Sequence, residues 1–193
     1  MTYYARFETI ENHLFRFDTR IYLAEHDPNQ DGECVGAIVG KNPGSAQPTQ
    51  LGVFAHLNLD GDKMLPSVRN RFIVAYEQAG KHIPVNAFVQ VWNLFYLCNP
   101  NLGEACSIIN NFASQPQCPS EKNQSKVVWF AWGGNDSFLN QFKLRFIKRN
   151  SPSFYYNHQS RAVVSHIPSE HDFAKHPQGM PAIPVINYLA SVL

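Results

Sequence analysis

Four short polar stretches hold most of the side chains able to do chemistry, and each sits at the end of an apolar run. Gly40-Lys41-Asn42-Pro43-Gly44 closes CVGAIVG, Asn93 lies near the end of AFVQVWNL, and Gly133-Gly134-Asn135-Asp136 follows KVVWFAW. A fourth stretch, with His166, His171, Asp172 and His176, follows RAVVS. An amide such as Asn42 or Asn93 can orient a water or read a polar edge, whereas an imidazole donates or accepts a proton near neutral pH. The glycines of Gly36-Ala-Ile-Val-Gly40-Lys41-Asn42 look like a phosphate-binding loop at first sight. Their spacing is one residue short, Asn42 stands where a magnesium-binding hydroxyl is needed, and Gly36 falls inside the apolar run. The plain alternative for Lys-Asn-Pro-Gly is a strand-ending turn. His166, His171, His176 and Asp172 have donor atoms that suit zinc or iron, but their spacing matches no helical metal motif. Neither a metal nor an organic cofactor is expected.

These stretches need elements to position them. The runs Cys34 to Gly40, Ala87 to Leu94, Lys126 to Trp132 and Arg161 to Ser165 are nearly continuous rather than alternating. Strands of that kind are buried on both faces, as in a parallel sheet. Arg20 to Ala24 adds an antiparallel or edge strand. In PSVRNRFIVAYEQAG, Val68, Phe72, Ile73 and Tyr76 share a helical face, Pro66 suits the first turn and Gly80 the stop. NDSFLNQFKLRFIKRN carries the stripe Phe138, Leu139, Phe142, Phe146 and Ile147. Asn135, Asp136 or Ser137 can cap that helix, while Lys143, Arg145, Lys148 and Arg149 read as a solvated face. A last helix runs through Val185 to Val192, and the second half of the polar stretch Asn101 to Gln124 reads as a surface loop. Alternating strands and helices predict one α/β domain over 1–193. Its expected form is a three-layer α/β/α sandwich around a central, mainly parallel four-stranded sheet. In such sheets ligands bind beyond the carboxyl ends of the strands, where all four polar stretches fall.

Composition narrows the partners. Of 193 residues, 44% are hydrophobic and 13% aromatic, which excludes wholesale disorder. Sixteen basic and fifteen acidic residues leave a net charge of +1, so a nucleic-acid partner must be met by charge arranged locally. Cys34, Cys98, Cys106 and Cys118 form no C-x-x-C pair, against a zinc ribbon or redox dithiol. The start MTYYARFETI does not read as a secretory leader, and no apolar run reaches membrane-spanning length. A cytoplasmic monomer without membrane contact is expected.

IVGKNPGSAQPT resembles the first motif of the uracil-DNA glycosylase superfamily, in which a buried strand ends in Gly-x-Asp-Pro or Gly-x-Asn-Pro-Gly. VQVWNLFYLCNP is similar to the second strand, VVWFAWGGN to the third, and His176-Pro177-Gln178-Gly179-Met180-Pro181 to the His-Pro-Ser loop. The same order of features, with SVRNRFIVAYEQAG after the first motif, looks like an uncharacterised bacterial and phage family. The likeness runs from about Cys34 to Pro181. It implies a DNA glycosylase that flips a uracil or a modified base, such as a modified cytosine of phage DNA in antiviral defence. Hydrolysis of the N-glycosidic bond would leave an abasic site. By resemblance, Asn42 holds the attacking water, His176 faces the leaving base, Asn93 reads its edge and Phe54 stacks on it. His166, in VVSHIPSE, is the second candidate for the catalytic imidazole. Gly40, Lys41, Pro43 and Gly44 surround the base, Gln178, Gly179 and Met180 enter the minor groove, and Arg69 and Arg71 touch the DNA backbone. Asn42 can orient water but cannot take its proton as an aspartate would. The alternative is therefore a module of the same fold that binds nucleic acid or a nucleotide without cleaving it.

Overall fold

Short runs of β-branched and aromatic residues with almost no charge favour strands inside a sheet covered on both sides, where the backbone is satisfied by neighbouring strands. The computed structural model describes residues 1–44, 47–59, 61–149 and 151–193. Ser45 and Ala46 of the first motif, and Asn150 at the end of the second helical segment, lie outside the described residues. The strands are β1 (Tyr3–Ile10), β2 (His13–Tyr22), β3 (Cys34–Gly40), β4 (Phe54–His56), β5 (Phe88–Asn93), β6 (Val128–Phe130), β7 (Ser153–Asn157) and β8 (Ala162–Val164). The α-helices are α1 (Met64–Gln78), α2 (Leu102–Asn110), α3 (Asn140–Ile147) and α4 (Ala182–Val192). All eight strands join one sheet in the order β4-β1-β2-β5-β3-β6-β7-β8.

The sheet is mixed, and this corrects the expected four-stranded, mainly parallel one. Pairs β3–β5, β3–β6 and β6–β7 run parallel, but β1–β2, β1–β4, β2–β5 and β7–β8 run antiparallel. Two placements explain the difference. The N-terminal hairpin docks β2 against β5, which covers an edge that would otherwise expose its hydrogen-bonding groups. The run at Arg161 to Ser165 returns as the second arm of a hairpin, so β8 lies antiparallel to β7, and the parallel position beside β6 belongs to β7.

Two hydrophobic cores lie on the two faces of the sheet. Along β6 and its flanks, Val127, Trp129 and Ala131 face one core, while Val128, Phe130 and Trp132 face the other. The first core is closed by α1 and α4, through residues such as Val68, Phe72, Val185 and Leu189. The second is closed by α2 and α3, through Ala105, Ile109, Phe142 and Phe146. In β3, a Cβ on Gly36 would come within 2.7 Å of the Phe72 ring. That glycine serves helix-to-sheet packing, not phosphate binding.

The helical segments are shorter or more buried than their patterns predict. Phe138, assigned to the α3 stripe, is exposed and precedes the helix in a 3-10 turn over Ser137–Leu139. Lys143 is fully buried instead of solvated, with Nζ donating to the Glu170 carbonyl at 2.6 Å and to Asn140 Oδ1 at 3.0 Å. Arg145 is half-buried rather than solvated, bonded to Glu121 and to the Asn93 carbonyl.

Chain direction creates an opening. From β3 the chain passes through β4 and α1 to β5 on one side, then crosses to β6 on the other. The helices that follow β3 and β6 cover opposite faces, so the two connections diverge and leave a crevice at the strand ends.

Candidate functional site

The connection after β3 is held by continuing ladder bonds. Leu94 N donates to the Gly40 carbonyl at 3.0 Å, and Phe95 N to the Lys41 carbonyl at 3.3 Å. Gly40 packs on Asn93, whose Oδ1 would lie 3.1 Å from an added Cβ. Asn42 Nδ2 donates to the Asn99 carbonyl at 2.9 Å, so the donor half of the amide is engaged. Pro43 is buried and stiffens the turn, while Gly44 is exposed at the cavity edge.

Across the crevice, Gly133 and Gly134 turn with φ of +61° and +93°, a region open to glycine at little cost. Lys41 Nζ bonds Asp136 Oδ2 at 3.0 Å and ties the two connections together. Asp136 therefore does not cap the following helix with its side chain, contrary to one of the sequence expectations. Gly133 N donates to the Ala174 carbonyl at 2.7 Å, and a Cβ on Gly133 would sit 3.0 Å from His176 Cβ. Gly133→Ala is expected to cost about 1–3 kcal/mol through left-handed strain and to push His176 out of place. Urea unfolding measures the first effect. A Gly133→Ala protein as stable as the parent would contradict this packing.

His176 is half-buried, and burial holds its imidazole below the ordinary value of 6.5; nearby Asp62 opposes the shift and Lys41 reinforces it. Gln178 N donates to His176 Nδ1 at 3.2 Å. A neutral ring that accepts at Nδ1 carries its proton on Nε2, so His176 presents a donor.

Asn42 and His176 line two adjoining cavities, with Gln178 on the shared wall. The first, about 390 Å³, is also lined by Arg16, Gly44, Leu59, Asp62, Lys63 and Met64. The second, about 570 Å³, is bounded by Lys41, Trp132, Gly133, Gly134, Asp136, His158, Phe173 and Lys175. Phe173 packs on the His158 ring at 4.4 Å between centroids and supplies an aromatic wall. An amide, a neutral imidazole donor and a ring surface thus meet at one opening. That set can hold a planar heterocycle and donate a hydrogen bond to it.

Several expected contributors lie elsewhere. Phe54 is 37% exposed on β4 at the far edge of the sheet, stacked on Tyr4 and below Arg20, and so lines neither cavity. Asn93 is buried under Gly40 with Nδ2 unpartnered, and it too is absent from the walls of both cavities. His166 is exposed, with Nδ1 at 2.9 Å from the Ile167 carbonyl and its ring against Tyr155, away from Asn42. Gln178 and Gly179 are exposed on the rim, but Met180 is only 6% exposed and belongs to the first core, so it is no wedge.

Arg71 is buried, not on a DNA-facing surface. Its Nη2 donates to the carbonyls of Pro177 at 3.2 Å and Met180 at 3.1 Å, and its Nη1 bonds Ser67. It is a positioning residue for the loop that carries His176. Arg69 is bonded to the carbonyls of Tyr22 and Leu23 at the end of β2, which commits its donors within the fold. The proposed metal donors do not gather either. Asp172 caps Ser169, His171 points towards Asn140, and among the described residues no group of three His, Cys, Asp or Glu could hold a metal ion. No helix of the described residues is long and apolar enough to cross a membrane.

The sequence reading missed Arg16, Asp62, Lys63, Phe173 and Lys175. Arg16 left one trace, a lone charge between two phenylalanines in Leu14-Phe15-Arg16-Phe17. The others carry no local signal, because a loop residue becomes a site residue only through where the loop packs. Comparison of the chain with protein-family models, with curated proteins and with solved structures returned no match.

Proposed function

We propose that this chain is a DNA glycosylase of the uracil-DNA glycosylase type, acting on uracil or a modified base. One observation carries the reading. Asn42 and His176, far apart in sequence, line the same opening at the divergent strand ends, and His176 is set as a neutral donor at Nε2. Further support comes from the parallel pairing of β5, β3, β6 and β7 around the motifs that carry the likeness. An extruded base would rest against Phe173 in the larger cavity. His176 would donate to the base oxygen that gains negative charge as the C1′–N bond breaks. Asn42 Oδ1 would hold the water that adds to C1′, and the water's proton would pass to solvent, because an amide cannot keep it. Lys175 and Lys63, which line the two cavities, would meet phosphates of the DNA.

Duplexes carrying uracil, hydroxymethylcytosine or glucosylated hydroxymethylcytosine, incubated with the protein and then treated with alkali, test this directly. Strand cleavage at one modified position is expected. Uncut strands on all three substrates, in single- and double-stranded form, would defeat the enzyme reading. The amide at Asn42 specifically favours one second reading, a binding module of the same fold. That module would retain the ligand through His176 and release it unchanged.

A further inference from the structure

Arg16 stands in the middle of β2 and is 2% exposed. Its neighbours Phe15 and Phe17 belong to the core under α2 and α3, so strand alternation sends Arg16 to the other face. There it lines the cavity of about 390 Å³ that also holds Asn42 and His176. Among the described residues no acceptor meets its Nε or its Nη1. A guanidinium offers five N–H donors and keeps its charge at any physiological pH. Burying one with no partner is unfavourable, and a fold gains nothing from it unless something else supplies the counter-charge.

Among the described residues the surrounding groups supply it only in part, through the charge of Asp62 without a hydrogen bond to Nε or Nη1. Cys98, close enough to interact with Arg16, has its thiol pushed up to about 11 by burial and is uncharged near neutrality. Asp62 uses Oδ1 to cap the start of α1, accepting from Met64 N at 2.7 Å and Leu65 N at 3.3 Å. Lys63 brings a second positive charge to the same wall. Two cations therefore face a cavity with one lining carboxylate among the described residues, and one oxygen of that carboxylate is committed to the start of α1.

We propose that this cavity is an oxyanion subsite in which Arg16 takes a phosphate group of a nucleotide. The site itself stands on Arg16; the identification of the ligand as a nucleotide rests on the base-binding reading of the adjoining cavity. With a ring against Phe173 and a phosphate at Arg16, the sugar falls between Asn42 and His176, where the two cavities meet. The depth of Arg16 favours a phosphate that can enter a pocket, and the test separates a terminal monoester from a backbone diester.

Calorimetric titration of the full-length protein with deoxyuridine, deoxyuridine 5′-monophosphate, orthophosphate and a thymidine–deoxyuridine–thymidine trinucleotide without terminal phosphate decides the matter. The monophosphate or the trinucleotide is expected to bind at least about tenfold more tightly than the nucleoside, with orthophosphate competing. Preference for the monophosphate identifies a terminal phosphate, and preference for the trinucleotide a diester. In Arg16→Met the preference disappears while the ligand-free protein melts at the same or a higher temperature, because apolar atoms replace an unpaired buried charge. A lower melting temperature with the preference intact would make Arg16 structural and overturn the proposal. So would equal affinity of the unaltered protein for nucleoside and nucleotide, whatever the variant does. Phosphate preference without abasic product would remove the glycosylase reading and leave this subsite. Abasic product without phosphate preference would do the reverse.

Discussion

On the proposed glycosylase reading, replacement of His176 by alanine is expected to lower single-turnover base excision by about 10²–10⁴-fold. The size follows from what the ring is placed to do. Its Nδ1 is occupied by Gln178 N, so the proton on Nε2 is the one available to a leaving base. Burial depresses its affinity for a second proton, and the sign of the pH dependence follows. On that reading the active form is the neutral one, so the rate is expected to stay level above the depressed value and to fall only as acid protonates the ring. The break lies below the ordinary histidine value of 6.5. A break above 6.5, or a rate unchanged in His176→Ala, would show that this imidazole does not face the reacting base. Asn42→Ala should cost about 10²-fold through loss of an oriented water. Asn42→Asp keeps the position and adds a group able to take a proton, so the rate is expected to hold or rise. In a non-catalytic binding module none of the three variants has a rate to change, and only affinity responds. Quantifying abasic product on a denaturing gel across pH separates the two cases.

Arg71→Met is expected to destabilise the protein by about 2–4 kcal/mol and to reduce excision as well. Two carbonyls, those of Pro177 and Met180, lose a charged donor inside the protein, and Ser67 loses a third bond. Here the arithmetic is opposite to that of Arg16, since carbonyls that Arg71 serves, that of Met180 above all, stay behind without their charged donor. The loop between His176 and Met180 is pinned at its far end by these bonds, so its release moves the imidazole too. Arg71→Lys should recover little, because an ammonium cannot reproduce the fork that spans two carbonyls. Urea denaturation gives the stability change, and an intact midpoint in Arg71→Met would mean that the loop is held by Met180 packing alone.

The two arginines show how far a sequence can be read. Both are charges within apolar patterns, one in Leu14-Phe15-Arg16-Phe17 and one on the helix of Val68, Phe72 and Tyr76. The place of Arg71 shortly after the first motif suggests a residue that touches the DNA backbone. It is buried because the 177–180 loop lies over that side of α1 and offers carbonyls, a contact between segments 106 and 109 residues apart. The same limit explains Phe54. Its place after the first motif suggests a ring near the base, yet β4 pairs with β1 at the sheet edge and carries it away.

What the chain determined locally is the set of strand cores, the helix from Met64 to Gln78 and the polar ends that follow β3 and β6. Apolar runs, Pro66 and the glycine turns act over a few residues, so their consequences are legible one segment at a time. Tertiary packing alone decided the eight-stranded mixed sheet, the choice of His176 over His166 at the opening and the burial of Arg16 beside it. Each depends on which distant edge or loop finds a partner, and hydrogen-bonding groups on an edge carry no label for the strand that will cover them.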